Sequence, residues 1–303
     1  MFFLKTKESK KNGVDFSYFE EKLGFWEYVH FDKKKPIADK VKDGNVEDIK
    51  GAQQIIYNMA DAAASSIASL AGAGYLRKAA LKTALQFCEQ SLENRGYKQI
   101  TTKEALELHD NDRLTIMLIL GCQNPDQIKQ RCRKAAEVVF RVSRNYRLVY
   151  SGFNPAEYRG ISATTFKSEA RKMMLLFENF IADFTNQRDA VYPYILDEKP
   201  ENTVMNIKNL FTEDILHPQK TNDIFAVSST YHLLRIDDAI QISINNYNPQ
   251  NVGDILLIGS ENSYHPEIVA STPRYVKQLF FEVYKELLSV QGKVPLVIPK
   301  KEI

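Results

Sequence analysis

Leu114-Thr115-Ile116-Met117-Leu118-Ile119-Leu120 is an almost unbroken apolar run that stops at Gly121. A strand with one face in water alternates apolar and polar residues. A run without alternation has both faces covered, which is the condition of a central strand in a parallel sheet. A parallel neighbour cannot be reached through a tight turn, so such a strand commits the chain to crossover connections, usually helices. The chain beyond Gly121 has that rhythm. Periodicity predicts helix over 126–143, strand over 147–150, helix over 165–184 and strand over 192–196. It then predicts helix over 203–216, strand over 224–227, helix over 231–244, strand over 255–258 and helix over 273–288. The expectation is an α/β fold with a doubly wound sheet in which the strands at 114–120, 147–150, 192–196 and 224–227 are parallel.

Upstream of that run the texture is different, and residues 1–110 are expected to form a mainly helical N-terminal domain ahead of a ligand-binding domain over 111–303. Val46 to Leu70 and Leu76 to Asn94 carry helical periodicity, with Gly72-Ala73-Gly74 as the break and Gly96 as the stop. Thr101 or Thr102 caps a short helix over 103–109, and Asn111-Asp112 forms a hinge. Residues 1 to about 50 mix aromatics with charges and suggest short helices, and Lys33-Lys34-Lys35-Pro36 marks a turn. Met1-Phe2-Phe3-Leu4 is too short for a signal-peptide core and runs into a charged segment expected to fray, Lys5 to Lys11. Ala62 to Leu76 is interrupted by glycines and falls short of the ~20 apolar residues a spanning helix needs. A soluble, cytoplasmic protein is expected.

Charge excludes some partners. Forty basic residues against 38 acidic ones leave a formal charge of +2, with no basic stripe interleaved with aromatics, so nucleic acid is a poor candidate and a small molecule a better one. Cys88, Cys122 and Cys132 are odd in number and lack chelating spacing, which fits reduced thiols better than disulfides or a zinc site.

In an open α/β sheet, ligands sit beyond the carboxyl ends of the strands. Four predicted ends give way there to small, polar or amide-bearing residues: Gly121, Gln123 and Asn124; Ser151, Gly152 and Asn154; Asp197, Glu198 and Asn202; Ser228, Ser229 and His232. Glycines would let backbone approach a ligand, and free N–H groups at helix starts favour an anion. The fourth junction is the most pointed. Ile224 to Val227 form a buried strand, and His232 and Arg235 then lie three apart on one helical face, suited to a donor or general acid and a bidentate anion clamp. Arg131 reaches the edge if its side chain lies back toward its helix N-terminus; otherwise it is a surface ion pair. Asn202 and Asn206, four apart, either read a ribose, amide or phosphate edge together or leave Asn202 as an N-cap. Glu169 and Glu198 are candidate general-base or hydroxyl-binding carboxylates, Glu198 the better of the two. Cys122 is either an activated thiolate or a small buried side chain.

These residues carry a resemblance as well. Leu118-Ile119-Leu120-Gly121 with Arg131 and Ala135, Leu148-Val149-Tyr150-Ser151-Gly152, Ser168-Glu169-Ala170, Glu198 with Asn202-Thr203-Val204-Met205-Asn206, and Ser228 to Arg235 are five segments in order. Together they resemble the YdcF/SanA/ElyC-like family defined by domain of unknown function 218, over about residues 113–244. The chain departs from that pattern at Cys122, at Met205 and in the length of the stretch from Phe153 to Phe166. The resemblance implies a Rossmann-like fold with helices on both faces of the sheet, and a ligand that is S-adenosylmethionine, a nucleotide or a phosphate-bearing lipid carrier.

Two functions are expected as alternatives. One is a hydrolase or transferase acting on a phosphate-bearing or nucleotide-like small molecule, with His232 and Glu198 catalytic. Gly121, Asn124, Arg131, Ser151, Gly152, Glu169, Asn202, Asn206, Ser229 and Arg235 would then bind ligand. The other is a non-catalytic module that binds S-adenosylmethionine or a nucleotide and signals to a protein partner through the N-terminal helical domain. No G-x-G-x-x-G comes after Leu120, which argues against a conventional dinucleotide site.

Overall fold

The computed structural model describes residues 1–6, 46–69, 74–108, 110–122, 125–153, 168–185, 192–200, 202–260 and 273–290. The chain divides into two compact units, one of Met1–Lys11, Gly96–Asn262 and Glu302–Ile303, the other of Asn12–Arg95 and Ser263–Lys301.

The first unit is a mixed seven-stranded sheet flanked by helices. Its strands are β1 (Phe2–Lys5), β2 (Lys98–Ile100), β3 (Asp110–Leu120), β4 (Arg144–Ser151), β5 (Tyr194–Asp197), β6 (Asn222–Ser228) and β7 (Val252–Gly259), in the spatial order β2-β1-β7-β6-β3-β4-β5. From β7 to β5 all neighbours are parallel, as the apolar runs predict, and β1 pairs antiparallel with both β7 and β2. Both faces of β3 are covered. Met117 and Ile119 join Tyr150, Phe225, Val227 and Ile258 in a core shared with Cys132, Ala135, Met173 and Phe177, whereas Ile116, Leu118 and Leu120 on the alternate positions are buried too. The missing alternation in the sequence has this cause.

The helices of this unit are α3 (Thr102–Leu106), α4 (Pro125–Arg141), α5 (Glu169–Thr185), α6 (Thr203–Thr212) and α7 (Thr230–Tyr247), and the second unit has α1 (Val46–Ser69), α2 (Gly74–Asn94) and α8 (Pro273–Val290). α4 packs with α5, α6 with α7, and α7 against β6 and β7. α3 starts in a capping box, in which Thr101 Oγ1 accepts from the Glu104 N–H at 3.1 Å and the Glu104 carboxylate accepts from the Thr101 N–H at 2.7 Å. It ends at Leu106, because Asp110 already belongs to β3. α6 ends at Thr212 instead of 216, and Asp214 has the left-handed φ of 54° that stops a helix. Ile215 is buried in the turn beyond it, so its apolar signal came from packing outside a helix.

The division at 110/111 expected from the sequence is not where the chain separates. β1 and β2 extend the sheet, and α8 belongs with the helical pair. Within the second unit α8 packs on α1 and α2. Lys277 meets Asp61 at 2.6 Å, Tyr57 and Phe281 rings lie 5.1 Å apart, and Arg95 pairs with Glu286. Lys5, expected to fray, is the last residue of β1. The expectations for residues 7–45 and for the break at 70–73 lie outside the described residues. Among the described residues no helix is long and apolar enough to cross a membrane.

Candidate functional site at the carboxyl edge

The strand order reverses at β3. The chain runs outward from β3 to β4 to β5, then returns to place β6 on the other side of β3. Connections that leave in opposite directions open a crevice between the two strand ends, where Leu120-Gly121 and Ser228-Ser229 lie.

Arg131 spans that crevice. From α4 its side chain lies back toward the helix N-terminus, and Nη1 donates to the carbonyls of Leu120 at 2.7 Å and Gly121 at 3.0 Å, while Nη2 donates to Ser229 Oγ at 3.1 Å. It is 1% exposed, so the surface ion pair is not its role; it is a buried strut between the end of β3 and the start of α7. Its Nε–H has no partner. The same contact explains why Ser229, the N-cap residue of α7, makes no side-chain cap.

Gly121 and Gly152 are positions of close approach within the fold, on the side where a side chain would stand. Glu169 takes the space: a Cβ on Gly121 would lie 2.5 Å from Glu169 Oε2, and one on Gly152 would lie 2.8 Å from Glu169 Cβ. Burial pushes the Glu169 carboxyl up, opposed by the charge of Arg131 and the Phe153 N–H. A carboxyl raised in this way is suited to hold or give a proton. Ser151 is also spoken for, since its Oγ donates to Asp197 Oδ2 at 2.6 Å. Asn209 donates to the other oxygen at 3.0 Å, and burial pushes Asp197 up.

Glu198 faces α5. Burial raises its carboxyl, but hydrogen bonds from Arg171, at 2.9 Å, and from Ser168 outweigh that and leave it below the ordinary value. This holds it ionised, as a general-base or hydroxyl-binding carboxylate would be, whereas Glu169 is the one of the two disposed to carry a proton. Asn202 is outside α6, with φ −154° and ψ 169°, so it shares no helical face with Asn206; its Oδ1 accepts from the Met205 N–H at 2.9 Å. It is the N-cap. Asn206, 7% exposed in the first turn, has Oδ1 without a partner.

His232 is brought between two hydroxyls. Nδ1 is 2.7 Å from Ser228 Oγ and Nε2 is 2.8 Å from Thr203 Oγ1. Arg235 is half-buried one turn further along α7. In the sequence Ser228 and Thr203 stand out only as a strand end and a helix start. A hydroxyl at each junction next to a histidine was the available sign. Ser260, which no sequence pattern singles out, follows the last residue of β7, with its N–H donating to the Ser228 carbonyl at 2.8 Å and its buried Oγ without a partner. Cys122 is half-buried, and Cys132 is buried with its thiol pushed up to about 12 by desolvation. Gln123, Asn124 and Asn154 lie outside the described residues. Among the described residues no three His, Cys, Asp or Glu side chains converge as metal ligands would.

The amino edge is built differently. Asp223, fully buried, accepts from Arg144 at 2.5 Å, Arg113 at 3.2 Å and the Asp254 N–H at 2.8 Å; Arg113 also reaches Asp254 at 3.1 Å. A Cβ on Gly253 would lie 2.2 Å from Asp223 Oδ1, so that glycine makes room for the ion network. Asn222 beside it accepts from the His217 N–H and donates to the His217 and Lys220 carbonyls. Among the described residues of this unit, the buried side-chain atoms without a hydrogen-bond partner are Arg131 Nε, Asn206 Oδ1 and Ser260 Oγ, all on residues at or next to the carboxyl edge. Comparison of the chain with protein-family models, with curated proteins and with solved structures finds no match.

Proposed function

We propose that the chain is a small-molecule enzyme of the Rossmann-like, YdcF-like kind, a hydrolase or transferase acting on a phosphate-bearing or nucleotide-like ligand at the carboxyl edge. The observation that carries this reading is the concentration there of a desolvated carboxyl on Glu169, a histidine at hydrogen-bond distance from two hydroxyls, and buried polar atoms without partners. His232 would exchange protons with the reacting group, Glu169 would hold or give one, and Arg235 would neutralise the anion. Arg131 would shape the site without clamping the ligand, since its Nη groups are spent on protein acceptors. Three cysteines outside any disulfide suit the reducing interior of a cell.

The second reading, a non-catalytic S-adenosylmethionine- or nucleotide-binding module with a protein partner for the helical unit, draws on the same histidine. With both ring nitrogens engaged by protein hydroxyls, His232 has no lone pair directed at a ligand. Mass spectrometry of small molecules released from the purified protein separates the two. A phosphorylated product, together with turnover of that class of compound, supports the enzyme; intact ligand that never turns over supports the module. On either reading Arg235→Ala weakens an anionic ligand by about one to two orders of magnitude, because a charge-assisted hydrogen bond contributes roughly 1.5–3 kcal/mol. Unchanged affinity by calorimetry would remove Arg235 from the site.

A further inference from the structure

We infer that Thr203 is a nucleophile and that the reaction passes through a phosphothreonine, an inference that rests on the enzymatic reading above. A threonine hydroxyl is a weak nucleophile unless a base takes its proton, and the mark of an activated one is a base within hydrogen-bond reach that is itself oriented by a third group. Thr203 Oγ1 lies 2.8 Å from His232 Nε2, and His232 Nδ1 lies 2.7 Å from Ser228 Oγ. When Nδ1–H donates to Ser228, the Nε2 lone pair faces the Thr203 hydroxyl. Three elements set this up: Thr203 opens α6, Ser228 ends β6, and His232 lies in the first turn of α7.

A second observation is independent of that relay. Asn206, three residues beyond Thr203 and so on the same face of α6, is more than nine-tenths buried with Oδ1 unsatisfied. An acceptor in that position is completed by a donor on a bound molecule, such as a sugar hydroxyl. Thr203 is the first residue of α6, so the positive end of the helix dipole lies where a phosphoryl group would gather charge, with Asn202 capping the Met205 N–H.

The step balances. Thr203 Oγ bonds to phosphorus as the bond to the leaving oxygen breaks; the Thr203 proton passes to His232 Nε2 and from there to the leaving oxygen. Water, or an acceptor hydroxyl, then attacks the phosphothreonine and gives its proton to His232, which returns it to the Thr203 oxygen.

The test uses p-nitrophenyl phosphate with the full chain. Wild type should release p-nitrophenolate, and after acid quench the peptide carrying Thr203 should bear one phosphoryl group; phosphothreonine survives acid, whereas phosphohistidine does not. Thr203→Ser should keep the adduct. Thr203→Val, which keeps the shape without the hydroxyl, should stay folded with a melting temperature lowered by the lost hydrogen bond to His232, and lose both adduct and turnover, whereas Thr203→Ser restores all three. His232→Gln should lower turnover by roughly a hundredfold to ten-thousandfold. An adduct on another residue, or Thr203→Val turning over at the wild-type rate, overturns the inference while leaving the enzymatic reading in place. No release by wild type overturns the enzymatic reading, and this inference with it.

Discussion

At the amino edge of the parallel strands, Asp223 is fully buried and meets two arginines and a backbone N–H. At the carboxyl edge of the same strands, Arg131 is as deeply buried but keeps an unpartnered Nε, with Asn206 Oδ1 and Ser260 Oγ unsatisfied nearby. Both edges enclose polar side chains in a low-dielectric interior, where an unpartnered group is costly. One edge has been closed for stability. The other keeps polar atoms without partners, which on the proposed reading a bound molecule would complete, at the expense of the fold's own stability.

The largest effect that would sharpen this contrast is expected at the closed edge. Asp223→Ala strands Arg144, whose side chain is 4% exposed, beside a vacated pocket, and should cost about 3–5 kcal/mol in urea unfolding. Ligand affinity per folded molecule at the far edge should be unchanged; a parallel loss of affinity would show that the two edges are not separable. Next comes Gly152→Ala, whose new methyl meets Glu169 Cβ and the Ala170 nitrogen, and should destabilise by about 1–3 kcal/mol. A neutral result would mean that Glu169 moves away easily.

Asn206→Leu is expected to act in the opposite direction. Removing an unsatisfied buried acceptor should stabilise the protein by about 1 kcal/mol while weakening adenosine monophosphate, read by a melt beside calorimetry. A destabilised variant with unchanged affinity would make Asn206 structural. The smallest effect is in pH. Burial raises the Glu169 carboxyl in the folded state, so its contribution to folding is complete below the ordinary value near 4.5 and is lost as pH rises through the folded value. Glu169→Gln removes that loss. The melting temperature of the variant should therefore gain on wild type between acid and neutral pH, and the reverse trend would mean that Arg131 dominates over desolvation.

How much of this was readable depends on whether the cause is local. The parallel strands were legible because burial on both faces leaves a run such as Leu114 to Leu120 without alternation. A cap at Thr101 or Thr102 was legible because threonines precede the helical stretch, and the structure takes Thr101, with Glu104 completing the box. The place of Phe2 to Lys5 was not, because a four-residue strand is recognised only by its partner, and Leu4 pairs with Leu256. Gly121 and Gly152 were identified as positions of close approach, but the sequence cannot say what approaches, and it is Glu169. The edge that holds His232 and Arg235 was foreseen from the rule for strand ends. The Asp223 network was not, since Arg113, Arg144 and Asp254 come from three different strand starts and only the register brings them together.

That same short strand has a kinetic consequence. Phe2 lies opposite Ile100 on one side and Ile258 on the other, so β1 and β2 can join the parallel strands only by closing a loop that spans most of the sheet's sequence onto β7, the last strand. Closing so long a loop is slow, and it adds little until β7 is already seated beside β6. The parallel strands should therefore assemble first and β1 dock late, at an edge of β7 that stays open to other chains in the interval.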